Sequence, residues 1–183
     1  MVLTISGPST VGKDTAWLRI IEELGFSREV PLTTRTRREH EVQGVEHHFI
    51  TMERFRHMIQ KNELTAWDFV LGNYYGTGLS LLHRSKAGEK IALQVLGRMA
   101  IRLKNQLPQV RTVMLQVSDR TILRNRLERR GLATGEIEER LRLADEELIH
   151  SPLFDFVVPD ADILTETEIR RVLLEITTET YSE

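Results

Sequence analysis

Residues 7–15 read Gly-Pro-Ser-Thr-Val-Gly-Lys-Asp-Thr, a spacing suited to holding phosphate. Gly7 and Gly12 let the chain turn so that the N–H groups of Ser9, Thr10, Val11 and Gly12 point inward at anionic oxygens, and Lys13 reaches the outer ones. A helix beginning at this point adds the positive end of its dipole. These features make the phosphates of a nucleotide, with Mg²⁺, the expected ligand. The residue after the lysine, where a hydroxyl is usual, is Asp14. A carboxylate is a stronger ligand for a hard cation than a hydroxyl, so Asp14 is a candidate Mg²⁺ ligand; it is equally a favourable charge in the first turn of a helix. Thr15 offers a hydroxyl one position on, but that step turns the side chain by about 100° around the helix, so it is no equivalent substitute.

A loop of this kind works only when a strand leads into it and a helix leads out. "VLTIS" is a short β-rich run halted by Gly-Pro, and "DTAWLRIIEELGF" carries Ala16, Leu18, Ile20, Ile21 and Leu24 at helical spacing before Gly25 ends it. "EKIALQVLG" and "RTVMLQVS" read as buried strands, feeding the helices "AIRLKNQL" and "DRTILRNRLERRG", with Ser118 as the expected N-cap of the latter. "LFDFVVPD" is the last strand and "TETEIRRVLLEITTE" the last helix. Alternating strand and helix predict an α/β fold, a parallel sheet flanked by helices, with ligands at the carboxyl ends of the strands. Residues 32–86 interrupt the alternation and are expected to form a small, partly β insertion for acceptor recognition. The core is then 1–31 and 87–183, and the whole chain a single domain.

Composition narrows the partners. A net charge of −2 supplies no basic field for nucleic acid. The absence of cysteine excludes disulfides, thiolate metal sites and thiol nucleophiles. No apolar run approaches the ~18 residues of a membrane span. A cytoplasmic enzyme acting on small molecules, as a monomer or homodimer, is expected. Glu46, His40, His47 and His48 in "HEVQGVEHH" fit a polar loop better than a metal cluster, because His47 and His48 would face opposite sides of a strand. Trp17 and Trp67 read as packing residues, and "DEEL" (145–148) as a solvated helix face.

The segments "GPSTVGKDT", "TTRTRREHEVQGVEHHF", "GNYYGT", "LERRG" and "FDFVV", in this order, resemble the guanylate kinase family over nearly the whole chain. The resemblance implies a P-loop kinase with a core, an acceptor-binding insertion and a mobile lid at about 130–145, transferring the γ-phosphoryl of ATP to a phosphate on a small acceptor. It places Arg35, Arg38, Tyr75 and Thr77 at the acceptor, where two guanidinium forks suit a phosphate dianion. His47 stands for a further family tyrosine in a Tyr-x-Phe segment. Arg126, Arg130 and Arg140 are the expected lid cations, bearing charge during transfer beside Lys13.

The base-reading end departs from the family. Where guanylate kinases carry a serine before "TTR", a glutamate before the tryptophan and an aspartate on the strand after the insertion, this chain has Pro31, Ala66 and Gln94. Gln94 remains an expected acceptor contact. Asp68, two residues beyond Ala66, is the nearest compensating carboxylate but is expected to face the other way. Pro159 and Asp160 replace the family's Asn-Asp near the expected adenine site. A kept phosphate end with a changed base end is similar to the ribose 1,5-bisphosphate phosphokinases, as are "GKDT", "EHH", "YYGTG", "MLQVS" and "EIEERLRLA". The expected reaction is therefore ribose 1,5-bisphosphate to 5-phosphoribosyl diphosphate. The alternatives are a guanylate kinase with an altered base pocket and a non-catalytic binding module of the same fold.

Overall fold

The structure, a computed structural model, describes residues 1–8, 10–117 and 119–178, and of Asp14 and Thr15 the backbone alone. The chain opens with β1 (Val2–Ser6), a π-helical turn at Lys13–Trp17 running into α1 (Leu18–Glu23), β2 (Ser27–Arg28), β3 (Leu32–Thr33), β4 (His48–Phe49) and α2 (Met52–Gln60). It continues through β5 (Leu64–Val70), β6 (Asn73–Gly78), α3 (Leu79–Lys86), β7 (Ile91–Gln94), α4 (Gly97–Gln106) and β8 (Val110–Leu115). Helices α5 (Arg120–Arg129) and α6 (Thr134–Ile149), a 3-10 turn at Ser151–Leu153, β9 (Phe156–Val158) and α7 (Glu166–Thr178) complete it.

β1 is buried along its whole length because it is paired on both edges, in parallel, with β7 and β8. β2 and β9 extend this parallel sheet to the order β2-β7-β1-β8-β9. Both faces are covered, which is why its strands read as continuous apolar runs. On one face Leu3, Ile5, Val113 and Leu115 pack against Leu18, Ile20 and Ile21 of α1 and Ile169, Leu173 and Ile176 of α7. On the other, Val2, Ile91, Leu93, Val110 and Met114 meet Met99, Ala100 and Leu103 of α4 and Leu81 of α3. Each such side chain contributes about 1.5–3 kcal/mol by leaving water. A third cluster, Leu123 and Leu127 with Ile137, Leu141 and Ala144, holds α5 against α6.

Two details differ from the sequence reading. The first helix starts as a wide π turn before it becomes α-helical, a departure that recurs at functional sites. The expected cap Ser118 lies outside the described residues; the N-cap of α5 is Asp119, whose side chain accepts from the Thr121 N–H at 2.8 Å.

The interruption at 32–86 holds a second, four-stranded sheet in the order β4-β3-β6-β5. Its two adjacent tyrosines face opposite sides, as strand alternation requires. Tyr74 looks outward, stacked on Phe55 of α2 at 4.9 Å and flanked by Trp67 and Phe69. Tyr75 looks inward, opposite Asp68 in the β5–β6 ladder. Slippage by one residue would exchange them, so the hairpin register has consequences for the site. The two-residue turn at Leu71 (φ 51°) and Gly72 (φ 72°) fixes that register, and a left-handed leucine is strained there.

Leu71→Asn should relieve this strain, since asparagine tolerates the left-handed region in such turns. The expected gain is about 0.5–1 kcal/mol, read as a rise in Tm; an unchanged or lower Tm would show that Leu71 is held by packing instead.

Candidate active site

The phosphate loop lies at the carboxyl end of β1. Gly7 has φ 142°, and a Cβ there would stand 2.5 Å from the Leu115 carbonyl oxygen, so the loop presses against β8 at a point that only glycine allows. Thr10 (φ 73°) and Gly12 (φ 103°) also take left-handed backbone, and Thr10 Oγ1 is buried without a hydrogen bond. Lys13 is 8% exposed, and its Nζ donates to the carbonyls of Gly7 and Pro8, at 2.7 Å each. The ammonium is thus centred in the loop's hollow, where phosphate oxygens could replace the carbonyls. Arg126 of α5 donates to the Thr10 carbonyl at 2.8 Å and lies 3.8 Å from Asp162. Ser9 and the side chains of Asp14 and Thr15 lie outside the described residues, so their assignments stay at the level of sequence.

A second cluster forms where the chain leaves β3. Thr33 Oγ1 donates to the Tyr74 carbonyl at 2.9 Å and accepts from Arg35 N at 3.2 Å; Thr34 Oγ1 accepts from Tyr74 N at 2.9 Å. This pair of threonines clamps the start of the loop onto β6 and aims Arg35. The Arg35 guanidinium, over the Phe49 ring at 5.5 Å, meets both oxygens of Glu41, at 2.9 and 2.7 Å. Glu41 is only 4% exposed and also accepts from Arg38 N at 2.8 Å, while Arg37 donates to its backbone carbonyl. Burial alone would raise the Glu41 carboxyl, but the bonds from Arg35 and Arg38 N, and the charges of both arginines, bring it down to about 2. Burial likewise opposes charge on Arg35, and the Glu41 bonds more than offset it, so its pKa rises. Tyr75 is close enough to act on Arg35 in the same direction.

Arg130 and Arg140, the arginines expected on a lid, act on this cluster through their charge. Burial lowers the pKa of Arg38, and the positive charges of Arg35, Arg140 and Arg130 lower it further against the pull of Glu41. Arg140 is held by Glu136 at 2.9 Å, one turn away on α6. Arg35, Arg130 and Arg140 are therefore all near enough for their charges to act on Arg38, with Glu41 as the carboxylate opposing them. Such an excess of positive charge is a site for an anion. His47 lies beside it, its ring 6.4 Å from that of Tyr75 in an edge arrangement.

The inner face of β5–β6 carries Ala66, Asp68, Tyr75 and Thr77. Asp68 does not face away from Ala66 as expected: residues two apart in a strand share a face, and both are buried. Asp68 Oδ2 stands 3.0 Å from Arg98 Nε, at the start of α4. Thr77 Oγ1 and Gln94 Oε1 are buried without a hydrogen bond. Glu147 of α6 accepts from Gly97 N at 3.1 Å; burial raises its pKa against the charges of Lys13 and Arg98, with Asp68 adding to the rise.

Sequence reasoning passed over Glu41, Glu147 and Arg98. Glu41 had a signal, an acid three residues after one arginine and six after another, but an acid in a polar loop reads as solvated. Its buried fork with Arg35 makes a prediction. Its carboxyl falls from the ordinary 4.5 to about 2 on folding, so the stabilisation is complete above about 4.5 and lost as pH falls toward about 2. Glu41→Gln should cost about 1–3 kcal/mol near neutral pH, with the gap to wild type closing as pH drops through that window. Thermal unfolding of both proteins across pH 2–6 checks this; a gap independent of pH would mean that Glu41 acts by packing alone.

Comparison with known proteins places this geometry. The family model described as "Guanylate kinase" matches residues 1–175. The guanylate kinase of Bacillus subtilis is 32% identical over 95% of this chain and 88% of its own, and that of Gloeobacter violaceus 36% over 95% and 87%. Among solved structures, guanylate kinase from Anaplasma phagocytophilum superposes with a TM-score of 0.74 at 23% identity, covering 97% of this chain and 84% of that one. Shikimate kinase from Bacteroides thetaiotaomicron gives 0.52 at 15% identity, with 98% and 99% covered, a likeness of fold alone. The phosphate loop, the parallel sheet behind it and these matches along nearly the full sequence agree that the chain belongs to the guanylate kinase family of P-loop phosphotransferases.

Proposed function

We propose that this enzyme transfers the terminal phosphoryl group of ATP to the phosphate of GMP, yielding GDP. The observation that carries the reading is the grouping of Arg35 and Arg38 on Glu41, with Arg130 and Arg140 near enough for their charges to act on Arg38 and with Tyr75 beside Arg35, in a fold whose phosphate loop supplies a second anion site around Lys13. The relatives named guanylate kinase make GMP the first acceptor to test.

The loop fits a triphosphate: a glycine pressed on a neighbouring carbonyl, a lysine centred in the hollow, and a buried hydroxyl, Thr10 Oγ1, awaiting a partner. Mg²⁺, when bound with ATP, neutralises charge on the transferring phosphoryl group. In the reaction Lys13 exchanges its two carbonyls for phosphate oxygens, and Asp14 stands next to that group in sequence as the metal-shell candidate. Arg35 and Arg38 hold the acceptor phosphate in line, with Tyr75 and His47 beside it. Arg126, docked on the loop through Thr10, and Arg130 and Arg140, on the mobile lid, bear the charge that develops. No general base is required, because the second ionisation of a phosphate monoester lies near pH 6.

A second reading keeps one specific observation in its favour. Position 66 is a buried alanine and position 94 an amide, which is compatible with a sugar acceptor such as ribose 1,5-bisphosphate. Steady-state assays with Mg·ATP and GMP, AMP, dTMP or ribose 1,5-bisphosphate separate the two. Turnover of GMP at about 1–100 s⁻¹, the ordinary kinase range, is the expected result; turnover confined to the sugar would replace it with the second reading. Lys13→Ala should lower kcat about 100-fold or more and abolish the rise in Tm that Mg·ATP gives the wild type. Absence of that rise in the wild type would return the chain to the role of a non-catalytic module.

A further inference from the structure

We propose that Glu147 is a positioning residue for phosphoryl transfer: its carboxylate, seated on the amide of Gly97, ties helix α6 to the root of the phosphate loop and so sets the place of Arg140. This goes beyond the GMP reading, holds for either acceptor, and rests only on the phosphotransfer chemistry of the family.

Helix α4 has no cap of its own. Its N-cap residue, Leu96, carries no side-chain acceptor, and the first amide of the helix, Gly97 N, donates instead to Glu147 Oε1 at 3.1 Å, 50 residues further along the chain. A serine or aspartate at position 96 would cap the helix locally. The carboxylate brought in from α6 is the costlier solution. Burial pushes its pKa up, while the Lys13 charge, the bond from Gly97 N and the Arg98 charge pull it down and Asp68 adds to the rise. An acid held at that cost joins two segments that a local cap would leave separate.

Gly97 is itself fixed to the donor site. Two residues before it, Val95 N donates to the Ile5 carbonyl at 3.2 Å, and Val95 O accepts from Ser6 Oγ at 2.9 Å. Ser6 ends β1 and leads directly into Gly7 of the phosphate loop. A Cβ on Gly97 would stand 3.4 Å from Met114 Cε and 3.7 Å from Phe154 Cζ, so the anchor point is closely packed.

Helix α6 has few other holds on this core. Its buried Ile137, Leu141 and Ala144 pack on Leu123 and Leu127 of α5, and its ion pairs outside itself, Asp145 with Arg120 and Glu138 with Arg124, also run to α5. Among the described residues, Glu147 alone carries a side-chain hydrogen bond from α6 to the core around the parallel sheet. Helix α5 is tied separately, through Arg126 on the Thr10 carbonyl. Arg140 precedes Glu147 on nearly the same side of α6, and its charge acts on Arg38 in the acceptor cluster. A misplacement of about 1 Å can cost about 100-fold in rate.

The test measures steady-state kinetics with Mg·ATP and GMP, and with ribose 1,5-bisphosphate should GMP not be turned over. Glu147→Ala should lower kcat about 10- to 100-fold, with both KM values nearly unchanged, because Lys13, Arg35 and Arg38 are still in place. Glu147→Gln keeps an oxygen that can accept from Gly97 N and should recover most of that loss. In an Arg140→Ala background, removal of Glu147 should cost little more, since one residue acts through the other. Additive losses in the double variant, or a Gln variant as slow as the Ala variant, would overturn the inference. Amide exchange followed by NMR gives a readout independent of turnover. In Glu147→Ala the amides of Gly97 and α6 should exchange about 10- to 100-fold faster, while β1 and β8 keep their protection; unchanged exchange in α6 would overturn the inference even if no acceptor were phosphorylated. Should Glu147→Ala fail to fold, Glu147→Asp, whose carboxylate is one methylene short of Gly97, replaces it in each comparison. Failure of the GMP reading looks different: the acceptor that is turned over changes, and the pattern among the variants persists.

Discussion

Positive charges repel, and a pocket for phosphate has to hold several of them close together before the phosphate arrives. In this protein Glu41 meets that constraint at one corner. It binds both terminal nitrogens of Arg35 and the main chain of Arg38 while itself almost wholly buried. The carboxylate cannot balance every guanidinium: Arg38 is lowered first by burial and then by the charges of Arg35, Arg140 and Arg130, against the pull of Glu41. Enough attraction to fix the geometry, combined with too little to satisfy it, leaves a site ordered in advance and still in need of an anion. Preorganisation of this kind lowers the cost of binding, because fewer long side chains lose freedom when the ligand enters.

The two sheets divide the labour. The parallel sheet is sealed by helices on both faces and places the phosphate loop where β1 ends, with Gly7 pressed against β8. The smaller sheet has little core of its own, and its outer face is tied together by aromatic rings around Tyr74. A junction joins them: Glu29, just beyond β2, accepts from Ser80 at 2.8 Å and from Arg84 at 2.6 Å, both on α3. The two sheets are thus joined both by these polar contacts and by the apolar cluster in which Ala66, Tyr75 and Leu81 meet Ile91, Leu93 and Met99.

How legible this was in the sequence depended on whether a residue's role is local. The phosphate loop and the strands on either side of it follow from composition and spacing, because their chemistry is set by neighbours in the chain, whereas the arginine pair is read only from the family resemblance. Asp119 as a cap was one residue from the expectation, within the uncertainty of any helix end. Asp68 was placed on the wrong face, although strand alternation alone puts it with Ala66. Glu147 could not be read at all: it lies in an acidic run that looks solvated, and only the folded chain brings it to Gly97 and into the field of Lys13. Ionisable residues gain meaning from burial, and burial at such positions is a tertiary property.

The Glu147 contact has a mechanical implication. Arg140 and Glu147 are seven residues apart on α6, two turns of one helix and nearly the same azimuth. The charge of the first acts on Arg38, and the second accepts from the amide of Gly97. The two residues therefore define an arm about 10 Å long on one rod. Rotation of the rod by about 20° would carry the arginine through about 4 Å over that arm, enough to engage or release a phosphate without unwinding any part of the helix.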